Sequence, residues 1–378
     1  MDYRLSEQQA AIRDLAEKFT ADEITPHAAR WDENHEFPRE TIRRAADLGF
    51  GAIYLPESVG GIGLGRLEAT LIMEAMAYGC PTTAAYISIH NMAAWMIASF
   101  GDEAVIKKFL PKLITMEHFA SYCLTEPDSG SDAAALKTTA IRDGDDYVLN
   151  GSKAFISGAG INEIYVCMVR TGGTDHQGIS CLVVEKDTPG VSFGANERKL
   201  GWHAQPTAMV IFEDARVPVS NRVGAEGSGF NIAMAGLDGG RLNIAACSIG
   251  GAQRCLDESI NYVKERRQFG RAIAEFQNTQ FQIADMAAAL AAARALTQIA
   301  ALKVSEDAPD KTECAAMAKL IATNAGSKIA DDALQLHGGY GYLMDYPIER
   351  FVRDLRVHQI LEGTNEVMRM VIGRSLLN

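Results

Sequence analysis

Glu362 is the residue of this sequence whose type and setting best suit proton transfer. It precedes a glycine, and Thr364 or Asn365 is placed to cap a following helix, so Glu362 lies in a connection and not on a solvated helical face. Two apolar residues, Ile360 and Leu361, come just before it. Burial among apolar groups raises the pKa of a carboxylate toward that of a useful general base. The alternative interpretation is a surface glutamate that precedes a helix.

Four further stretches combine small, hydroxyl or cationic residues in patterns that packing does not require. The stretch 122–132 follows a short apolar strand, and its hydroxyl groups and backbone amides can bind a polar heterocycle or a pyrophosphate. The stretch 155–160 ends a strand, 265–270 ends a long helix with two arginines, and 335–341 is rich in glycine. The first three also have ordinary interpretations: an interdomain linker, a strand ending in a turn, and a capped helix end.

Signatures of several other enzyme classes do not occur in the sequence. It has no Walker P-loop, no H-E-x-x-H helix, no G-x-S-x-G elbow and no complete G-x-G-x-x-G after a strand. The eight histidines are dispersed, and none of the seven cysteines forms a C-x-x-C pair. We therefore expect neither a metal site nor a disulfide framework, and we expect reduced, buried thiols.

Composition limits the classes of partner. The chain has 378 residues with a net charge of −12 and 47 % hydrophobic residues, which predicts a globular protein of two or three domains. The acidic balance argues against a surface for nucleic acid or an anionic membrane. The most apolar run, 287–302, is interrupted by Arg294, so no membrane span is expected. The N-terminus has no targeting pattern, which predicts a cytoplasmic or already mature protein, in the mitochondrial matrix if a presequence has been removed.

Helical periodicity predicts an N-terminal helical domain over residues 1–120. Ser6 and Gln9 form a capping-box start for the first helix. Apolar residues at helical spacing predict further helices at about 39–48, 66–77, 82–100 and 103–114.

Residues 121–229 are predicted to form an antiparallel β domain, a small barrel or sandwich. Tyr147 to Leu149, the pair Asn150-Gly151, and Lys153 to Ile156 are interpreted as strand, tight turn and strand, in preference to a glycosylation site at Asn150. Further strands are predicted at 164–169, 179–185, 191–193 and 208–212.

Residues 230–378 are predicted to form a C-terminal four-helix bundle. Long apolar and Ala-rich periodic segments predict helices at about 230–267, 277–303, 312–336 and 365–377. The fold class is therefore α+β and multidomain, in the order helical domain, β domain, helical bundle.

In this order the four stretches resemble the acyl-CoA dehydrogenase family, and the helical, β and helical regions span that family's whole length. The resemblance is greatest to its short branched-chain branch, which acts on isobutyryl-CoA. It is carried by residues 122–127, 151–160, 336–343 and 357–370.

The resemblance implies FAD as the cofactor, with the isoalloxazine ring between the β domain and the bundle. Thr125 and Ser157 would bond the ring edge, and Ser131 would reach a phosphate of the flavin or of CoA. Phe155 stands where many members carry Trp, so it can cover the ring but cannot donate an indole hydrogen bond. The implied FAD contacts are Tyr122, Cys123, Leu124, Thr125, Ser131, Phe155, Ile156, Ser157, Arg266, Gln268, Phe269, Phe276, Gln277, Gln335, Leu336, His337, Gly338, Gly339, Thr364, Asn365 and Glu366.

The resemblance also implies the chemistry: Glu362 takes the α-proton of an acyl-CoA while flavin N5 accepts the β-hydride. The thioester carbonyl would be polarised by the Glu362 backbone N–H and by a ribityl hydroxyl. Some branches carry the base at the position aligned with Gly240, where glycine cannot serve. The implied substrate contacts are Ser131, Asp238, Gly239, Gly240, Arg241 and Arg374, and Arg241, Arg266 and Arg374 would meet the phosphates of CoA and FAD.

The implied partners are an acyl-CoA, electron transfer flavoprotein as the electron acceptor, and three further copies of the chain. FAD would be bound partly by a neighbouring subunit of a homotetramer, a dimer of dimers. The leading substrate is isobutyryl-CoA, oxidised to methacrylyl-CoA in valine breakdown. The alternatives are 2-methylbutyryl-CoA, butyryl-CoA or another short to medium straight-chain acyl-CoA, an oxygen-using acyl-CoA oxidase, and a non-catalytic nucleotide-binding helical assembly protein.

Overall fold

The computed structural model describes residues 5–377. Its N-terminal part is helical, and the first helix begins with the predicted capping box, because the Ser6 hydroxyl accepts from the Gln9 N–H and the Gln9 side chain accepts from the Ser6 N–H. The other four predicted helices are confirmed to within two residues at each end. The helices are α1 (Glu7–Phe19), α2 (Ala28–Glu33), α3 (Arg39–Asp47), α4 (Arg66–Gly79), α5 (Pro81–Phe100) and α6 (Glu103–Ile114).

The middle of the chain is one mainly antiparallel sheet. Its strands are β1 (Ala120–Cys123), β2 (Thr139–Asp143), β3 (Asp146–Ser157), β4 (Ile164–Arg170), β5 (Ile179–Glu185), β6 (Val191–Phe193), β7 (Thr207–Pro218) and β8 (Arg222–Val223). They are ordered β6-β7-β3-β2-β4-β5-β8, and β1 pairs in parallel with β4. One face of the sheet shares a core with the N-terminal helices, through residues such as Val166 and Met168 with Met96 and Ile97. The sheet therefore carries the ends of β1 and β3 close to the helices.

The predicted hairpin at Asn150-Gly151 is wrong. Residues 146–157 form a single strand, β3, and the tight turn lies one strand earlier, at Gly144 between β2 and β3. Gly151 instead occupies a bulge, where the register with β7 shifts and φ is +140°. A Cβ at Gly151 would lie 2.7 Å from the Thr138 hydroxyl oxygen, so glycine is needed here for close approach of β2.

The C-terminal part is a bundle built on three long helices, α7 (Gly229–Glu265), α8 (Gln277–Ser305) and α9 (Lys311–His337). The fourth predicted helix, α11 (Asn365–Leu377), is shorter and packs on α9. Between α7 and α8 lies a small hairpin of β9 (Arg267–Gln268) and β10 (Arg271–Ala272).

A further helix, α10 (Ile348–Arg356), was not predicted; it buries Ile348, Phe351 and Leu355 against the bundle. The spacing of these three apolar residues was the available signal.

Helix α8 is the one described helix that is long and apolar enough to cross a membrane, by length and composition only. Only 28 % of its most apolar 18-residue stretch is buried within the chain. In the structure it packs against α7, α9 and α4, and its central Arg294 forms an ion pair with Glu74 at 2.8 Å.

Candidate active site

The turn that contains Glu362 has a left-handed backbone and is held by hydrogen bonds from helix α9. Glu362 and Gly363 have φ values of +57° and +85°. The buried Lys319 ammonium of α9 donates to the Gly363 carbonyl at 2.8 Å and to the Asn365 side chain at 2.9 Å. Thr364 caps α11, since its hydroxyl accepts from the Val367 N–H at 3.3 Å. The connection predicted before the last helix is thus a rigid, strained turn.

The Glu362 carboxylate points inward, toward α7 and α5. Its Oε2 atom is buried and has no hydrogen-bond partner among the described residues. A Cβ at Gly240 would lie 2.5 Å from this atom, and Met92 of α5 contacts the same space. Burial raises the pKa of the Glu362 carboxyl to about 7, although the Arg241 and Lys319 cations act in the opposite direction. The group can therefore exchange a proton near neutral pH.

Two more polar groups near this turn have no partner. The Glu362 backbone N–H donates to no acceptor among residues 5–377. The Tyr122 hydroxyl is buried and unpaired, and burial raises its pKa well above the ordinary value, with the Glu362 charge adding to the effect. A ligand that fills this space would meet a base, a backbone donor and a phenol.

Arg241 faces inward, toward Glu362, and is not a surface cation. Arg241 is 4 % exposed, and its guanidinium donates to Asp238 at 2.8 Å and to the Glu362 carbonyl at 3.4 Å. Asp238 in turn accepts from Thr312 at 2.7 Å. The structure thus gives Arg241 a different position from the phosphate-binding one that the sequence suggested, because the buried carboxylate and carbonyl hold its guanidinium. Arg374 is exposed near the end of α11.

Gly239 gives space to another arginine. Arg66 of α4 stacks on the Tyr54 ring at 3.7 Å, and a Cβ at Gly239 would lie 2.3 Å from its Nη1 atom. Gly239 and Gly240 thus admit two side chains against one turn of α7, Arg66 at the first and Glu362 at the second.

The loop after β1 and the end of β3 are joined by a buried ion pair. Lys153 donates to Glu126 at 2.7 Å and to the Leu124 carbonyl at 3.2 Å. Burial would raise the pKa of the Glu126 carboxyl, but Lys153 and the N–H groups of Lys137 and Thr138 hold it below its usual value. The Ala154 N–H also donates to the Thr125 carbonyl at 2.8 Å. The two stretches that the sequence singled out are therefore adjacent.

Within these stretches, the side chains of Cys123, Leu124 and Ile156 are buried in the core, so only their backbone is available to a ligand. Phe155 differs: it has a left-handed φ of +58° and is 67 % exposed. Ser131 is exposed as well. An exposed aromatic ring on a strained backbone is typical of a surface covered by a ligand.

A turn at Trp202–Gln205 closes over Ser157. Gln205 donates to the Ser157 hydroxyl at 3.2 Å. Trp202 has a φ of +56°, and its backbone N–H donates to Asp354 of α10 at 2.6 Å. Three buried polar atoms on and around this turn have no partner in the described chain: Trp202 Nε1, Gln205 Oε1 and His358 Nε2. Unpaired buried donors and acceptors fit a planar polar heterocycle bound here.

The third and fourth stretches meet at the far end of the bundle. Arg266 lies over the Tyr340 ring at 5.4 Å, and His337 stacks on Tyr262 at 4.3 Å. Phe269 at the tip of the β9–β10 hairpin is 94 % exposed. The remaining predicted contacts at this end are Gln268, Gln277, Gln335, Gly338 and Gly339, which are exposed, and Leu336 and Phe276, which are half-buried.

In the described chain, no hydrogen bond or ring contact joins this end of the bundle to Thr125 or Ser157. Most of the predicted FAD contacts therefore fall into two separate groups, and Thr364, Asn365 and Glu366 lie at the start of α11, beside Glu362. Residues 5–377 also hold no group of three or more His, Cys, Asp or Glu side chains placed to bind a metal ion.

Family models match most of the chain. The N-terminal, middle and C-terminal domains of acyl-CoA dehydrogenase match residues 6–117, 121–215 and 227–377. The chain belongs to the acyl-CoA dehydrogenase family. It is therefore an oxidoreductase, and its three-part fold is the one that the sequence predicted.

Relatives of this acyl-CoA dehydrogenase include the mitochondrial isobutyryl-CoA dehydrogenase of Bos taurus, 56 % identical over 99 % of this chain and 90 % of the relative. A solved structure described as electron transferring flavoprotein of Acidaminococcus fermentans is 42 % identical, with a TM-score of 0.98 and full coverage of both chains. A FAD complex of PigA is 29 % identical, with a TM-score of 0.96, and matches 100 % of this chain and 99 % of its own.

Sequence reasoning missed several residues that support the site of this acyl-CoA dehydrogenase: Lys319, the Glu126–Lys153 pair, Gln205 and Asp354. Lys153 interrupts an apolar strand, and Lys319 lies among the alanines of an otherwise buried helix face. A lysine at a core position was the available signal, because a buried ammonium requires a partner.

Proposed function

We propose that this chain is an FAD-dependent dehydrogenase that oxidises isobutyryl-CoA to methacrylyl-CoA, a step of valine breakdown. The observation that carries the proposal is the unpaired, buried Glu362 carboxylate against Gly240, with a pKa of about 7. The 56 % identity to an isobutyryl-CoA dehydrogenase supports this substrate.

Glu362 removes the α-proton of the acyl group. The proton is weakly acidic, so the thioester carbonyl must be polarised as enolate charge develops, and the free Glu362 N–H is the chain's own donor for that oxygen. Lys319 holds the turn so that carboxylate and N–H keep their positions. Bound FAD supplies the hydride acceptor for the β-carbon. The Arg241 guanidinium donates to the backbone carbonyl of Glu362 and so helps to fix the turn.

The residues for FAD are those of the two groups described above. Thr125 and Ser157 would bind the ring edge, and Phe155 would cover it. Arg266, Gln268, Phe269 and residues 335–339 would bind the phosphate and adenosine end of a neighbouring subunit's FAD. The separation of the two groups within one chain supports sharing of FAD between subunits of a homotetramer. Electron transfer flavoprotein is the proposed electron acceptor. The mitochondrial matrix is the proposed compartment, and it is supported by the bovine relative, which is named as mitochondrial.

The test is anaerobic mixing of the purified protein with a panel of acyl-CoAs while flavin absorbance is recorded. We expect a yellow protein whose flavin is bleached fastest by isobutyryl-CoA, and more slowly by 2-methylbutyryl-CoA and butyryl-CoA. Faster bleaching by either competitor would reassign the substrate within the family. A colourless protein that binds no FAD would contradict the proposed function and favour a non-catalytic role.

A further inference from the structure

Gln205 makes an unusual contact for a residue outside the predicted site. It is buried, and its only side-chain hydrogen bond among the described residues runs from Nε2 to the Ser157 hydroxyl oxygen at 3.2 Å. Its carbonyl oxygen, Oε1, is buried without a partner. Packing alone does not explain a buried amide whose carbonyl oxygen has no hydrogen-bond partner.

The backbone around Gln205 is firmly held. Lys199 donates from Nζ to the Gln205 carbonyl at 2.6 Å and to the Thr207 hydroxyl at 2.8 Å. The same turn is tied to α10 through the Trp202 N–H and Asp354, and Asp354 also accepts from Thr82 of α5 at 3.0 Å. The β domain, the N-terminal helices and the bundle thus all fix this turn, and the Gln205 amide has little freedom to move away from Ser157.

The contact determines how Ser157 can bond. A serine hydroxyl donates one hydrogen and accepts through two lone pairs. With a lone pair occupied by Gln205, the O–H hydrogen must go to another acceptor, and no described residue receives it. The Ser157 carbonyl is itself occupied by the Ser121 hydroxyl at 2.7 Å. The free O–H therefore remains for a ligand at the end of β3.

We propose that Gln205 is a positioning residue that fixes the Ser157 hydroxyl as a hydrogen-bond donor to the bound flavin ring and so favours the reduced flavin. This rests on the proposed function, which puts the ring edge at Ser157. A donor chain from Gln205 through Ser157 polarises the terminal O–H. Reduction increases the electron density of the ring, so a stronger donor stabilises reduced FAD more than oxidised FAD.

The experiment measures the flavin midpoint potential of the holoenzyme, by equilibration with a reference dye and without acyl-CoA. Gln205→Met keeps the side-chain volume, removes the donor and removes the unpaired Oε1. We expect the preference for reduced over oxidised FAD to fall about tenfold, which lowers a two-electron potential by about 30 mV. Ser157→Ala should lower the midpoint potential by at least as much. The double variant should have the same midpoint potential as Ser157→Ala alone.

The control is His203→Gln, in the same turn but without a contact to Ser157, which should leave the potential unchanged. The apoprotein melting temperature of Gln205→Met should be equal to or above that of the wild type, since a purely structural glutamine would lower it. If Gln205→Met yields no holoenzyme, Gln205→Asn, which is too short to reach Ser157, gives the same readout.

Additive effects of Gln205→Met and Ser157→Ala, or an unchanged potential, would overturn the proposal. A raised potential would overturn it as well, because it would show that Gln205 accepts from Ser157 and withholds the O–H from the ring. The measurement needs bound FAD but no substrate. A wrong substrate assignment would leave it intact, whereas absence of FAD in the wild type would refute the proposed function itself.

Discussion

At the residue scale, the proposed activity depends on the Glu362 carboxylate, whose buried Oε2 atom has no partner and lies against Gly240. Gly240 leaves space for the Glu362 carboxylate, and burial keeps its pKa near 7. A base is most effective when its pKa lies near the working pH, because it is then both deprotonated and basic. The wild-type environment of Glu362 provides that condition.

Glu362→Gln should abolish turnover, by at least about 1,000-fold, while FAD and acyl-CoA still bind, because the amide cannot accept the α-proton. In the wild type, kcat/KM should rise with pH through about 7, since only the deprotonated carboxylate is a base. Steady-state kinetics across pH 5.5–9 and a flavin titration would measure both.

The exposed Glu306→Gln serves as the matched control and should keep full activity. Glu362→Gln, which should abolish turnover, should by contrast increase the stability of the fold. The folded state binds the Glu362 proton more tightly than the unfolded state, so this group contributes less stability as pH rises from its ordinary value of 4.5 to about 7. The apoprotein of Glu362→Gln should therefore be more stable than the wild type at pH 8, by up to about 3 kcal/mol. Equal activity of Glu362→Gln and wild type would exclude Glu362 as the base.

Gly240→Ala should lower kcat about 10- to 100-fold with FAD retained, because the new methyl group would overlap the Glu362 carboxylate and displace it. Gly373→Ala, on α11, is the control, since a Cβ there has nothing within 4 Å. The rate of flavin reduction, measured by stopped flow, distinguishes Gly240→Ala from Gly373→Ala. Unchanged reduction in Gly240→Ala would show that the carboxylate acts from another position.

At the element scale, the site depends on contacts between segments that are distant in sequence. Lys153 in β3 joins the loop after β1 through Glu126, and Lys319 in α9 holds the turn before α11. Both lysines are fully buried, and each ammonium is bonded to oxygen atoms of a site segment. Burial lowers the pKa of Lys319 to about 8, although the Glu362 charge opposes the shift.

Lys153→Met should reduce the free energy of unfolding by about 3–5 kcal/mol, because it leaves the Glu126 carboxylate buried without its partner. The double variant Lys153→Met, Glu126→Leu should recover part of that loss, since no charge then remains buried. Urea denaturation of the apoproteins gives both values. Strictly additive losses would show that the pair is not coupled.

At the scale of the whole molecule, the most exposed apolar side chains lie mainly in the C-terminal part. Phe269, Tyr342 and Met344 are 94 %, 80 % and 60 % exposed, and Phe281 on α8 is 57 % exposed. An apolar surface of this kind is typical of a protein interface. It agrees with the proposed sharing of FAD between subunits.

The holoenzyme should sediment at about four times the 40.9 kDa chain mass. Tyr342→Asp combined with Met344→Asp should shift it to smaller species and weaken FAD binding, because two charges would be buried at the interface. Ile141→Asp, an equally exposed apolar site on β2, should do neither. A wild-type monomer that binds FAD tightly would contradict the shared site. Analytical ultracentrifugation with flavin absorbance follows mass and cofactor together.

The sequence by itself determined most of the helices, the three-part order and Glu362 as the candidate base. These follow from local information: apolar periodicity, the capping residues Ser6 and Thr364, and the connection before the last helix. Where local signals misled, as at Asn150-Gly151, the preferred turn was overridden by pairing of the whole strand with β7.

Only the tertiary structure decided what surrounds Glu362 and Ser157. Arg241 turns inward to Glu362, Gly240 leaves space for the Glu362 carboxylate, and Lys319 and Gln205 hold the two site segments. Each of these contacts joins residues that are 44 to more than 120 positions apart in the chain. Such pairings leave no local periodicity. They follow from a long-range requirement, that each buried charge or polar group find a partner, and the fold alone determines which residues can meet it.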